Sequence, residues 1–135
     1  AGVVCTIRLP KKPLQLPAGV PLVAYRTAQE ALTNISKHAG ASRVQIDLSM
    51  AGGVLSLEIS DNGRGLSQED LAKARSFGIR GLHERANTVG GWIDLSSGRH
   101  GTTLILSVPL DIPDSTYVTE AEPDRSYDPS QWADV

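Results

Sequence analysis

The sequence predicts an α+β fold in two layers, a mostly antiparallel mixed sheet covered on one face by helices. Two kinds of periodicity carry that expectation. Residues 43–50 with 54–60, and residues 92–96 with 102–109, alternate apolar and polar positions across glycine-bearing breaks, the pattern of two β-hairpins. Residues 20–39 and 79–89 instead place apolar side chains three or four apart, as helices with one buried stripe do. With 135 residues there is room for one core and little more.

Taken in order, Val3 to Arg8 reads as a strand, with the expectation that a further segment precedes Ala1. Leu9 to Pro21 holds four prolines and reads as an extended connection; Pro21 stands where a helix can begin, because the first turn has no use for its missing N–H. A helix is expected from Val20 to Ala39, with Ala24, Ala28, Ala31, Leu32, Ile35 and Ala39 on one face and Gly40 ending it. In the first hairpin Val44, Ile46 and Leu48 match Leu55, Leu57 and Ile59, joined through Gly52-Gly53. Asp61 to Gly65 is expected to break the strand. A polar stretch from Leu66 to Phe77 then holds at most a short helix starting near Ser67, with Glu69 and Asp70 in its first turn, and reads as mobile. Gly90-Gly91 stops the second long helix, and Ser97 to Gly101 connects the last hairpin.

Composition narrows the functional classes. Aromatic residues are only 4 %, so the core is aliphatic, and no apolar run approaches the roughly 18 residues of a membrane span. The N-terminus lacks the charged-then-apolar layout of a signal peptide, and the lone Cys5 in an apolar run fits a reducing, cytoplasmic setting. The net charge of -2 hides an asymmetry. Residues 111–135 carry seven acidic side chains and one basic, and read as a disordered acidic tail; residues 1–110 carry twelve basic and eight acidic, and form the folded domain. That modest positive balance suits a phosphate-bearing ligand and falls short of a nucleic-acid-binding patch.

Four places carry chemistry, each with an ordinary structural reading beside it. On the first helix Glu30, Asn34 and Lys37 share the face opposite the apolar stripe. A carboxylate can take a proton or hold a water, an amide oxygen suits Mg²⁺, and an ammonium suits phosphate oxygens; the same three also make a plain solvated face. In Asp61-Asn62-Gly63-Arg64-Gly65 an aspartate can accept from an exocyclic amine beside glycines that admit a flat ligand, or the run is a tight Asn-Gly turn. Gly78-Ile79-Arg80-Gly81-Leu82 opens the second long helix and offers N–H groups to phosphate, although glycine loops before helices are common. Gly101-Thr102 either adds one hydroxyl to that site or ends a hairpin.

Together the four acquire a specific meaning. Residues 25–39, Tyr-Arg-Thr-Ala-Gln-Glu-Ala-Leu-Thr-Asn-Ile-Ser-Lys-His-Ala, resemble the N box of the GHKL ATPase superfamily, in the form found in sensor histidine kinases that partner helix-turn-helix (NarL/LuxR-type) response regulators. Asp61 to Gly65 resembles the first glycine box, Gly78 to Leu82 with His83-Glu84-Arg85 the second, and Gly101-Thr102 the terminal glycine-threonine element. The four stand in family order.

The resemblance implies a Bergerat-type sandwich holding Mg-ATP beneath a flexible ATP lid. It implies that Asn34 holds Mg²⁺, Asp61 binds the adenine amine, Gly63 and Gly65 line the base, and Gly78, Ile79, Arg80, Gly81 and Leu82 border the triphosphate. Glu30 would be the acid/base residue, Lys37 and His38 would lie near the phosphates, and Thr102 would complete the pocket. The implied activity is ATP-dependent phosphorylation of a histidine on a separate dimerisation domain. The implied partners are that upstream domain, in a homodimeric kinase, and a response regulator, with no nucleic acid and no direct membrane contact by this domain. Two departures stand out: Ser76 replaces a frequent glycine, and His100 sits in a usually glycine-rich approach to Thr102. None of the three histidines is followed by aspartate, so the acceptor histidine is expected elsewhere. An anti-sigma serine kinase, a gyrase-like or chaperone-like ATPase clamp and a degenerate docking domain are the competing readings. Lys37, where the clamps usually carry aspartate, favours the kinase, and intact Glu30, Asn34 and Asp61 speak against degeneracy.

Overall fold

The computed structural model describes residues 2–38, 40–75 and 79–110, with the backbone alone for 36–38. The expected acidic tail, 111–135, lies outside the described residues. In chain order the elements are β1 (Val4–Arg8), α1 (Val20–His38), β2 (Arg43–Ala51), β3 (Val54–Asp61), α2 (Gln68–Lys73), α3 (Arg80–Asn87), β4 (Trp92–Gly98) and β5 (Gly101–Pro109). The strands form one sheet in the order β1-β2-β3-β5-β4. All neighbours are antiparallel except β1 and β2, so the sheet is mixed as expected.

Pairing register explains why alternation in the sequence becomes a core. Ile46, Ile59, Leu104 and Leu95 form one cross-strand row, and Leu48, Leu57, Leu106 and Ile93 a second; Met50, Leu55 and Val108 form a third. Because side chains alternate at period two, all three rows face the helices, and Leu55, Ile59, Leu106 and Val108 are buried to 1 % exposure or less. Gly52 and Gly53 close the first hairpin with φ of +58° and +77°, the two left-handed positions that a two-residue turn matched to strand twist demands. The second hairpin is tighter than the sequence suggests. Its strands run to a Gly98–Gly101 pair, leaving only Arg99 and His100 between them.

The buried stripe of α1 is rotated from the expected one. Val20, Val23, Thr27 and Ala31 are buried, while Ala24, Ala28, Leu32 and Ile35 pack at the margin of the core. The observed face buries Val20 and Val23, two branched side chains that the expected face leaves out. Thr27 joins them at 0 % exposure because its hydroxyl donates to the Val23 carbonyl at 2.8 Å, which satisfies it within the helix. The short helix near Ser67 forms as read: the Ser67 hydroxyl accepts from the Asp70 N–H at 3.0 Å and caps α2. The second long helix is trimmed to Arg80–Asn87, where Leu82 and Ala86 are buried. No helix among the described residues is long and apolar enough to cross a membrane.

One boundary matters for function. Asp61 does not break the strand; it is the last residue of β3, on the same face as Leu55, Leu57 and Ile59, and is 8 % exposed. A carboxylate thus occupies the next place in a row of core positions.

Candidate nucleotide site

Beyond the apolar rows a cavity of about 580 Å³ opens between the second half of α1, the end of β3, the start of β5, Leu95 of β4, and α2. Its walls are largely aliphatic: Ala31, Ile35, Ile59, Leu66, Ala74, Ile79, Leu95 and Leu104. Its polar groups are few and placed: Asn34 from α1, Asp61 from β3, Thr102 from β5, and Asp70 and Lys73 from α2. A concave, mostly apolar space with sparse polar anchors is the usual form of a small-molecule site.

Asp61 is its most constrained member. One carboxylate oxygen, Oδ1, accepts from the Gly63 N–H at 2.7 Å, fixing the side chain. The other, Oδ2, has no partner among the described residues. A buried acceptor without a partner costs free energy until something donates to it, so it marks where a ligand donor belongs. Gly65 lines the cavity too, but its lack of a side chain answers to the protein as well: a Cβ there would collide with the Gly98 carbonyl. Gly101 is held likewise, since a Cβ on it would strike the Asp61 carbonyl. Close backbone contact between the loop after β3 and the β4–β5 hairpin therefore sets where Asp61 and Thr102 stand.

Asn62 has a different task. Its Oδ1 accepts from the N–H groups of Ser42 at 3.0 Å and Arg43 at 2.8 Å, and its Nδ2 donates to the Ser42 hydroxyl at 3.0 Å. It pins the start of β2 to the end of β3 and leaves the cavity to Asp61. Asn62→Ala would replace these exposed bonds with bonds to water, and we expect a loss of about 1 kcal/mol in urea-unfolding stability.

The structure brings together Asn34, Asp61, Gly65, Ile79 and Thr102 around one cavity. Gly63 is buried beside them and acts through its N–H on Asp61. Glu30 is exposed on α1, one turn before Asn34, and does not line the cavity. Arg80 and Gly81 are exposed at the start of α3, where Arg80 lies 3.7 Å from Glu84. Leu82 is 2 % exposed and its side chain belongs to the core, so any contact with a ligand falls to its backbone. The side chains of Lys37 and His38, and Gly78 and Ser76 altogether, lie outside the described residues.

The sequence reading missed Asp70, Lys73, Leu66 and Leu95. A six-residue helix is too short to show a periodic face, and the Glu69–Lys73 pair at 3.6 Å reads as ordinary surface charge. The Arg75 guanidinium also donates to the Leu95 carbonyl at 2.8 Å, tethering the end of α2 to β4.

Residues 19–112 match the family described as histidine kinase-, DNA gyrase B-, and HSP90-like ATPase. The chain belongs to this family. Within it, the chain is the catalytic domain type found in sensor histidine kinases. It is 36 % identical over 97 residues to the signal transduction histidine-protein kinase/phosphatase DegS of Brevibacillus brevis, covering 71 % of this chain and 25 % of that protein. It is 37 % identical over 93 residues to the sensor histidine kinase LiaS of Bacillus subtilis, covering 68 % and 26 %. It thus spans about a quarter of these relatives' length. In fold it is similar to the Erythrobacter litoralis EL346 blue-light activated histidine kinase, with a TM-score of 0.70 at 23 % identity over 82 % of this chain and 36 % of that one. The two-layer α+β architecture and the GHKL resemblance both hold.

The residues fit the ligands that the family implies. Asp61 Oδ2 can accept from an adenine amine, and the aliphatic walls suit a flat base. Among the described residues no group of three His, Cys, Asp or Glu side chains could hold a metal. Mg²⁺ often binds through one or two protein oxygens with substrate phosphates supplying others, and the Asn34 amide, lining the cavity, can be such an oxygen.

Proposed function

We propose that this domain binds Mg-ATP in the cavity and supplies the γ-phosphoryl group to a histidine on a separate dimerisation domain, upstream in a homodimeric cytoplasmic or membrane-anchored kinase. A helix-turn-helix response regulator receives the phosphoryl group next. The observation that carries the reading is the Asp61 carboxylate, buried at the end of an aliphatic row with one oxygen fixed by Gly63 and the other open to a donor.

In this reading Asp61 selects the base, Gly63 and Gly65 shape its slot, and Asn34 holds the metal. Mg²⁺ supplies charge neutralisation of the triphosphate. The backbone of Gly78 to Leu82 faces the phosphates, Thr102 adds a hydroxyl, and α2 with its flanking residues forms the lid. Glu30 acts as the acid/base residue once the histidine domain docks, and Lys37 and His38 stand near the phosphates. Residues 1–110 make the catalytic unit and 111–135 a separate acidic tail. The histidine-kinase relatives and the Lys37-bearing N box support the kinase over a clamp or an anti-sigma kinase.

Calorimetric titration with a non-hydrolysable ATP analogue, with and without Mg²⁺, tests the site. We expect the parent domain to bind more tightly with Mg²⁺, and Asn34→Ala to lose about tenfold in affinity with Mg²⁺ but little without it, since one hard-metal ligand has gone. Equal affinity for parent and variant in Mg²⁺ would remove Asn34 from the metal site. Added to a separately produced two-helix histidine domain, the chain should yield phosphohistidine on that domain and none on itself.

A further inference from the structure

We infer that Arg75 is a positioning residue for nucleotide binding: its hold on the Leu95 carbonyl stands α2 against the edge of the sheet and so builds one wall of the cavity before a ligand arrives. The inference rests on the nucleotide reading of the cavity.

α2 lacks the usual means of keeping a helix in place. It has 6 residues, well short of the length at which an isolated helix persists in water, and none of them is buried. Without a buried apolar face it has none of the packing that fixes α1 and α3, and segments of that kind open locally at little cost in free energy. Yet Asp70, Lys73 and Ala74 line the cavity, so α2 stands at a defined place beside it. Hydrogen bonds must supply the position that packing does not.

Among the described residues, three bonds reach outward from the segment between Leu66 and Arg75. At its start the Leu66 N–H donates to Ser97 Oγ of β4 at 2.7 Å. At its end the Ile79 N–H donates to the Ala74 carbonyl at 2.8 Å, and the Arg75 guanidinium donates to the Leu95 carbonyl at 2.8 Å. The Leu66 and Ala74 bonds flank the helix and act as pivots; with them alone it can swing away from the sheet. The Arg75 bond removes that freedom, because it joins the end of the helix directly to β4, the outermost strand. A guanidinium only donates and a carbonyl only accepts, so the direction of this bond is fixed. Leu95 itself lines the cavity, which places the bond at the cavity's rim. The space enclosed with α2 so held, about 580 Å³, is already of the size that small-molecule sites have. The tethered helix therefore forms the site without blocking it, and a ligand need not order that wall on arrival.

Hydrogen exchange on the ligand-free protein, beside stopped-flow binding of a fluorescent non-hydrolysable ATP analogue in Mg²⁺, tests this with the parent, Arg75→Ala and Arg75→Lys. In Arg75→Ala the amides of Leu71 to Ala74 should exchange at least about threefold faster, while those of β3 and β5 keep parental rates. The analogue should bind about three- to fivefold more weakly, with the loss in the dissociation rate. Arg75→Lys keeps a donor on a long stem and should lie nearer the parent than Arg75→Ala in both measurements. An arginine that only met the phosphates of a bound ligand would change affinity and leave exchange in the ligand-free protein untouched, and that result overturns the assignment. So does faster exchange with parental affinity, or an Arg75→Lys protein that behaves as Arg75→Ala does. A folded parent that binds no analogue overturns the nucleotide reading and the binding role with it, while the exchange rates still decide whether Arg75 holds α2.

Discussion

Asp61→Asn is expected to weaken adenine-nucleotide binding by about 2–3 kcal/mol, on the order of 30- to 150-fold, with little change in fold. The amide keeps an oxygen that can accept from the Gly63 N–H, so the loop after β3 retains its 2.7 Å tie. The group then facing the cavity is an NH₂, which presents donors to a base that is itself donating. One favourable bond to a carboxylate is exchanged for donors that oppose the base's own. Competition binding of ATP and GTP by the parent completes the test: a guanine presents a carbonyl where adenine presents its amine, so the parent should prefer ATP and the variant should lose much of that preference. A variant with parental affinity would detach Asp61 from base recognition.

Gly101→Ala is expected to cost about 3 kcal/mol or more and to lower the thermal midpoint by roughly 10 °C or more. Gly101 has φ of +132°, a conformation unsuited to L side chains, and the added Cβ would meet the carbonyl of Asp61 and lie 3.2 Å from the Asn62 Cα. Neither obstacle is a side chain that can swing away. Relief requires the start of β5 to part from the end of β3, which moves Asp61 and Thr102 together. Any folded fraction should therefore bind nucleotide poorly, and thermal unfolding followed by circular dichroism beside titration would separate the two losses. Retention of the parental midpoint would show that the hairpin can shift as a body.

Much of this arrangement is legible before any coordinates. Val44, Ile46 and Leu48 against Leu55, Leu57 and Ile59 fix a strand pair, because a one-residue slip would turn every one of them to solvent. Each of the four motifs brings a residue to the one cavity, Asn34, Asp61 with Gly65, Ile79 and Thr102. What sequence left obscure has physical causes. The rotation of α1 depends on which of two weakly apolar stripes buries more area, and Thr27 reads as polar until its bond to Val23 is known. Asp61 reads as a strand breaker because aspartate is rare in strands, whereas its burial comes from Gly63 and its place beside Ile59. Leu82 belongs to the glycine box by position, while its side chain packs with Ala86 on the inner face of α3. Asp70 and Lys73 reach the cavity only through the tertiary placement of a helix of 6 residues.

The row that ends in a carboxylate couples the stability of the domain to its ligand. Three successive rows are filled with aliphatic side chains that stabilise by leaving water; the next place holds a buried oxygen with no donor among the described residues. A ligand that donates to it returns stability by mass action, about 2.7 kcal/mol at a hundred times the dissociation constant. Melting temperature then becomes a gauge of occupancy, and in a cell the ratio of intact to degraded protein would follow the nucleotide supply.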